Sequence, residues 1–129
     1  MTDKLTKKTL EALQRAQSMA IENQNLQIAP EHLAYALADQ DGGLIGSLFG
    51  KMGVDTDRFL ASVDEAVAGL PKVSGDREPD KVYISRETEQ ILTAAEKLAQ
   101  KDHDEYVSVE HLMLGILGHP TSVLRDIFR

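Results

Sequence analysis

Apolar positions in this chain step by three and four residues, the period of a helix with one buried face. Leu5, Ala12, Leu13, Ala16, Met19 and Ala20 form the first such face and predict a helix over Thr6–Ile21. Thr6 is its expected N-cap, since a hydroxyl there can accept a free backbone N–H. The polar tract 22–27 ends it. Pro30, which needs no N–H in the first turn, and Glu31, at the positive end of the helix dipole, predict a second helix. It runs to about Ala38 and stops before Asp41-Gly42-Gly43. A short third helix is expected to carry Ile45, Leu48, Phe49 and Met52 inward and to break at Gly53. Asp55 or Thr56 caps a fourth, with Phe59, Leu60, Val63 and Val67 on its buried side and Gly69 and Pro71 at its end. Residues 70–83 hold Pro71, Ser74-Gly75 and Pro79 among mixed charges and predict an exposed, mobile linker with little regular structure.

The plan then starts again. Leu5–Gly50 overlays Ile84–Arg129 at a constant offset of 79, without a gap and with eight identities in 46 positions. Glu31/Glu110, His32/His111 and Leu33/Leu112 are among them, and mismatches such as Leu5/Ile84, Thr6/Ser85 and Ile28/Val107 keep their chemistry. Ser85 is expected to cap a helix carrying Ile91, Leu92, Ala95, Leu98 and Ala99. Ser108 caps the helix of Glu110–Leu117, His119-Pro120 breaks it, and Ser122–Phe128 begins another. A repeat at fixed spacing signals a duplicated structural unit. The expectation is therefore an all-α single domain, 1–129: two helical repeats, 5–69 and 84–129, related by a pseudo-two-fold and joined by the linker 70–83. The first repeat has four helices and the second three, so about 20 further residues are expected past Arg129 to complete it.

Composition narrows the function classes. With aromatics at 5% and no Trp, the core must be aliphatic. A net charge of −7 argues against nucleic acid and against anionic membrane surfaces, both of which need a basic face. There is no Cys, hence no disulfide framework and no thiolate metal site. No apolar run approaches the roughly 20 residues that span a bilayer, and Met1-Thr2-Asp3-Lys4 lacks the apolar stretch of a signal peptide. A cytoplasmic location is the default.

Little catalytic chemistry is present. Gly46–Met52 resembles a phosphate loop only superficially: three residues instead of four separate its glycines, and Met52 stands where Ser or Thr must hold magnesium. His32 and His111 lie one turn into matching helices. No His-x-x-x-His or Glu-x-x-His spacing supports a metal there, so both rings are expected to pack and bond nearby backbone. Glu31 and Glu110 sit at helix N-termini, where they complement the dipole. They could also form a symmetry-related carboxylate pair at a surface groove. No nucleophile or oxyanion hole accompanies them, so no enzyme is expected. Where the helices Thr6–Ile21 and Ser85–Lys101 meet, their Ala/Leu stripes could line an apolar groove for peptide; equally, both stripes could be core.

The ordered set Leu5-Thr6, Ala12-Leu13, Ala16-Gln17, Ala20 and Ile28-Ala29-Pro30-Glu31-His32-Leu33 resembles the N-terminal domain of Clp ATPases. So does Tyr83–Glu87 with Ala95–Ala99 and Asp104–Leu112, and Leu70–Gly75 resembles the linker of the ClpB disaggregase branch. The resemblance implies a non-catalytic module that binds unfolded or aggregated polypeptide and presents it to a hexameric AAA+ ring of the same chain. ATP belongs to that ring, no cofactor to this domain, and the isolated domain is expected to be a monomer. Residue by residue, it implies a polar cluster of Thr6, Asp104 and Glu110 beside a groove that Leu92 and Leu98 help line. The ClpA/ClpC branch offers the alternative of an adaptor or degron site, or a phosphoarginine site at Glu31 with Thr6 and Glu110 with Ser85. The two repeats differ in polar neighbours, Ala29 against Ser108 and Asn25 against Asp104. Binding is therefore expected to centre on the second repeat, bordered by Thr6 of the first.

Overall fold

The computed structural model describes residues 4–73 and 82–128. Among the described residues the helices are α1 (Lys7–Glu22), α2 (Pro30–Ala38), α3 (Leu44–Lys51), α4 (Thr56–Ala68), α5 (Arg86–Lys101), α6 (Val109–Gly118) and α7 (Ser122–Ile127). Two short strands join them, β1 (Gln27–Ile28) and β2 (Tyr83–Ile84). The all-α expectation holds. The predicted N-caps Thr6, Asp55 and Ser85 each accept the N–H three residues ahead, the usual way of satisfying a helix's free donors.

Each copy is built on one closely packed helix pair, α1 with α2 and α5 with α6, and the α2–α4 contact completes the first copy. The core is aliphatic, as composition required: Leu33, Leu37, Ile45, Ile91, Leu112, Ile116 and Leu124 are fully buried. The helix pairs solve the same packing problem with different residues. In α5–α6, Gly115 lies against Ile91; a Cβ there would sit 2.9 Å from Ile91 O and 3.2 Å from Ile91 Cγ2. The equivalent positions in α1–α2 are Ala36 and Ala12, so one large and one absent side chain replace two small ones.

The strands interlock the copies. β1 and β2 pair in parallel, Gln27 with Tyr83 and Ile28 with Ile84. Leu5 bridges Val107, also in parallel. Shifting Ile28–Ile84 by 79 in opposite senses gives Val107–Leu5, so each copy's leading residues pair with the other copy, as a pseudo-two-fold demands. Tyr83, at the end of the expected linker, instead pairs in a strand. Of that linker, 74–81 lie outside the described residues, and its start is fixed: Val73 N–H donates to Gln24 O at 2.8 Å.

Two further expectations need correction. In α3 only Ile45 and Phe49 are buried, whereas Leu48 and Met52 are exposed. Phe49 instead anchors an aromatic cluster in which its repeat counterpart Phe128 also takes part, both rings packing on Phe59 at centroid distances of 5.0 and 5.5 Å. Ser108 occupies the N-cap of α6 without a side-chain capping bond; a histidine takes over that task.

Candidate functional site

Both copies end their first helix in the same turn. Gln24 and its counterpart His103 each have φ of +59°, the left-handed conformation that commonly closes helices. The next residue's N–H, from Asn25 or Asp104, donates to Ala20 O or Ala99 O, 2.8 Å in each case. Into each turn projects the buried histidine of the following helix. Ala29 N–H donates to His32 Nδ1 at 2.9 Å, and Ser108 N–H donates to His111 Nδ1 at 3.0 Å. A ring nitrogen that accepts carries no proton, so in both rings Nε2 is the donor. The rings thus cap α2 and α6 through backbone, as expected of them, and the missing hydroxyl at Ala29 leaves that N–H satisfied.

What Nε2 meets differs. His32 Nε2–H donates to Asn25 Oδ1 at 2.9 Å. Asn23 Nδ2 donates to the same oxygen and to Val67 O, and Asn25 Nδ2 donates to Pro71 O at 3.0 Å. This node is neutral, internal and closed by the end of α4 and the start of the linker. Burial pushes His32 down from 6.5 to about 4. In the second copy Asn23 and Asn25 become Asp102 and Asp104. His111 Nε2 lies 3.4 Å from Asp102 Oδ2 and 3.3 Å from Asp104 Oδ2. Its side chain is 6% exposed, while those of the two aspartates are 59% and 56% exposed. The second node therefore presents two carboxylates to water, held from behind by a buried ring.

These three groups offer ligand atoms within 4.8 Å of one another, a set that could suit a divalent cation. The Ser108 N–H on Nδ1 argues for another role. It keeps the proton on Nε2, which faces the two carboxylates and has no lone pair for a metal.

Thr6 and Glu110 lie at the same end. Thr6 N–H donates to Val107 O at 3.2 Å and Val107 N–H to Lys4 O at 2.7 Å, so the entry to α1 runs beside the residues between Asp104 and Glu110. Glu110 is exposed in the first turn of α6. Leu98 is half-buried on the last turns of α5, and its carbonyl accepts Asp102 N–H. Leu92 lies in the core at 8% exposure, and the alanines of both stripes are buried with it.

Glu31 and Glu110 are not a matched surface pair. Glu31 is 4% exposed and accepts from Thr121 Oγ1 at 2.9 Å, which ties α2 to the N-cap of α7. Ser85 is buried, its hydroxyl donating to Thr88 Oγ1, which donates on to Ile28 O. The identity of Thr9 and Thr88, unremarked chemically in the sequence, follows from this: each is a buried hydroxyl bonded to the cap hydroxyl before it. A surface groove of about 910 Å³ between α4 and α7 is lined by Val54, Phe59, Val123 and Ile127 among others and by none of the expected site residues.

Comparison with known proteins agrees with this architecture. The chaperone protein ClpB of Porphyromonas gingivalis is 43% identical over 112 residues, covering 87% of this chain and 12% of the chaperone. This chain thus spans about an eighth of that relative's length. The Hsp104 N-terminal domain of Candida albicans superposes with a TM-score of 0.83 at 25% identity, covering 96% of this chain and 79% of that one. A ClpV N-domain solved with a VipB peptide shares the fold at a TM-score of 0.76 and 21% identity, covering 98% and 78%. The family model for the Clp repeat N-terminal domain matches residues 4–129, and the chain belongs to that family.

Proposed function

We propose that this chain is the polypeptide-recognition module of a ClpB-type disaggregase, non-catalytic in itself. It binds unfolded or aggregated polypeptide and passes it to the ATP-driven AAA+ ring of the same protein, a hexamer in the cytoplasm. The observation that carries the reading is the contrast between the nodes. The same turn-and-histidine scaffold is closed on itself in the first copy and open, anionic and beside Thr6 and Glu110 in the second. Half-buried Leu98 and Leu5 supply apolar surface near it. A ClpV N-domain binding a VipB peptide supports peptide recognition by this fold. No described helix is long and apolar enough to cross a membrane. A phosphoarginine site at Glu31 gains no support, since its carboxylate is already buried against Thr121.

Fluorescence anisotropy with a labelled, permanently unfolded protein tests the proposal. Asp104→Ala and Glu110→Ala should weaken binding, Asp104→Ala by about tenfold, the scale of a hydrogen bond to a charged group. Unchanged affinity in both variants, with folding intact by circular dichroism, would overturn it.

A further inference from the structure

We infer that Asp41 is a site of spontaneous backbone modification: its link to Gly42 converts from an α- to a β-peptide bond, giving isoaspartate and loosening the joint between α1, α2 and α3.

The reaction needs a free carboxyl, a free amide N–H on the next residue, and no side chain crowding that amide. The turn between α2 and α3 meets all three conditions. Gly43 N–H donates to Gln40 O at 3.0 Å, which closes a four-residue turn with Asp41 and Gly42 at its centre. Gly42 has φ of +61°, a conformation that favours glycine, and nothing lies within 4 Å of the place a Cβ would take. Asp41 and Gly42 are exposed, and among the described residues neither the Asp41 carboxylate nor Gly42 N–H meets a hydrogen-bond partner. Every other described aspartate precedes a residue with a side chain. Several are also engaged: Asp39 pairs with Arg15 at 2.6 Å, and Asp55 accepts Arg58 N–H at 3.2 Å.

The atoms balance without a cofactor. Gly42 N attacks Cγ of the protonated Asp41 carboxyl, and the hydroxyl leaves with the amide proton as water. The product is a five-membered imide. Water then adds to one of its two carbonyls. Addition at Cγ breaks the new N–C bond and restores aspartate. Addition at the main-chain carbon breaks the original peptide bond, leaves Gly42 joined through Cγ and frees the α-carboxylate. The main chain becomes one carbon longer in a turn without slack, since a Cβ on Gly43 would sit 2.7 Å from Gln40 Cβ. That turn ties three helices. Gln40 Nε2 donates to Lys8 O at 2.8 Å, Lys8 Nζ to Asp41 O at 3.3 Å, and Gly43 is the N-cap of α3.

The test holds the intact protein for weeks in warm buffer at pH 7, in water labelled with heavy oxygen, and locates isoaspartate by fragmentation of its proteolytic peptides. Isoaspartate is expected at Asp41, carrying one heavy oxygen and accumulating about tenfold faster than at Asp55 or Asp64. In the separated isomer the Gly43 amide should exchange with solvent about tenfold faster, the loss of one turn hydrogen bond, with the Asn25 amide unchanged. If Asp41 stays intact over the time in which a free peptide of residues 37–46 isomerises, the folded turn does not permit the reaction and the proposal fails. An isomer without heavy oxygen would overturn the imide route, and unchanged exchange at Gly43 the loosened joint.

Discussion

The nodes around His32 and His111 share a backbone, a ring and a capping bond, yet one is a closed structural joint and the other an open anionic surface. Two Asn-to-Asp differences, at 23/102 and 25/104, account for most of this. An amide both accepts from the ring and donates onward, so it can fasten another segment. A carboxylate accepts on all sides and is left facing solvent. Duplication with unequal polar residues thus gives one closed and one open node without altering the scaffold.

The largest expected effect breaks the first node. His32→Ala removes a fully buried ring and strands Ala29 N–H and Asn25, and should cost about 4 kcal/mol by urea denaturation. His111→Ala, whose partners can reach water, should cost about half as much. Equal costs would contradict the contrast.

Acid should act on the same node. His32 is held neutral, at about 4 against 6.5, so it adds stability fully present above pH 6.5 and lost as pH falls towards 4, where the unfolded chain has taken a proton that the folded one refuses. The loss is about 3 kcal/mol at 1.36 kcal/mol per unit. Comparing urea midpoints at pH 7 and 4.5 for the parent and His32→Gln isolates it: the variant should show the smaller drop.

The cores offer a gentler comparison. Gly115→Ala should cost about 2 kcal/mol, because its Cβ would meet Ile91 O, a backbone atom that cannot rotate away. Adding Ile91→Ala relieves only the side-chain contact and should not restore stability. Smallest of all, Gln24→Gly and His103→Gly should each stabilise by about 0.5 kcal/mol, since glycine adopts the left-handed conformation without strain. Similar gains are expected because the turns match; a marked difference would show that they do not.

Much of the scaffold was legible in the sequence. The expected helix Thr6–Ile21 is observed as Lys7–Glu22, and α2 begins at Pro30 as its proline and glutamate required. Local signals suffice for such elements. The strands leave no signal in the sequence because each is two residues long and its partner lies across the pseudo-two-fold. The burial of Glu31 was illegible for a similar reason: its partner, Thr121, is 90 residues away. In α3, a helix of about two turns, apolar spacing alone did not reveal that only Ile45 and Phe49 would meet neighbours. The difference at Asn25 and Asp104 could be read directly, but its meaning depended on the ring behind each residue.

Recognition by the second node is most directly tested by following the backbone amides of this chain by NMR during titration with an unfolded, unlabelled protein. The account predicts shifts concentrated at Thr6, Asp102–Asp104 and Glu110, with Asn23, Asn25 and Val73 unmoved. Shifts centred on Asn23, Asn25 and Val73, or none at the second node at saturation, would contradict it.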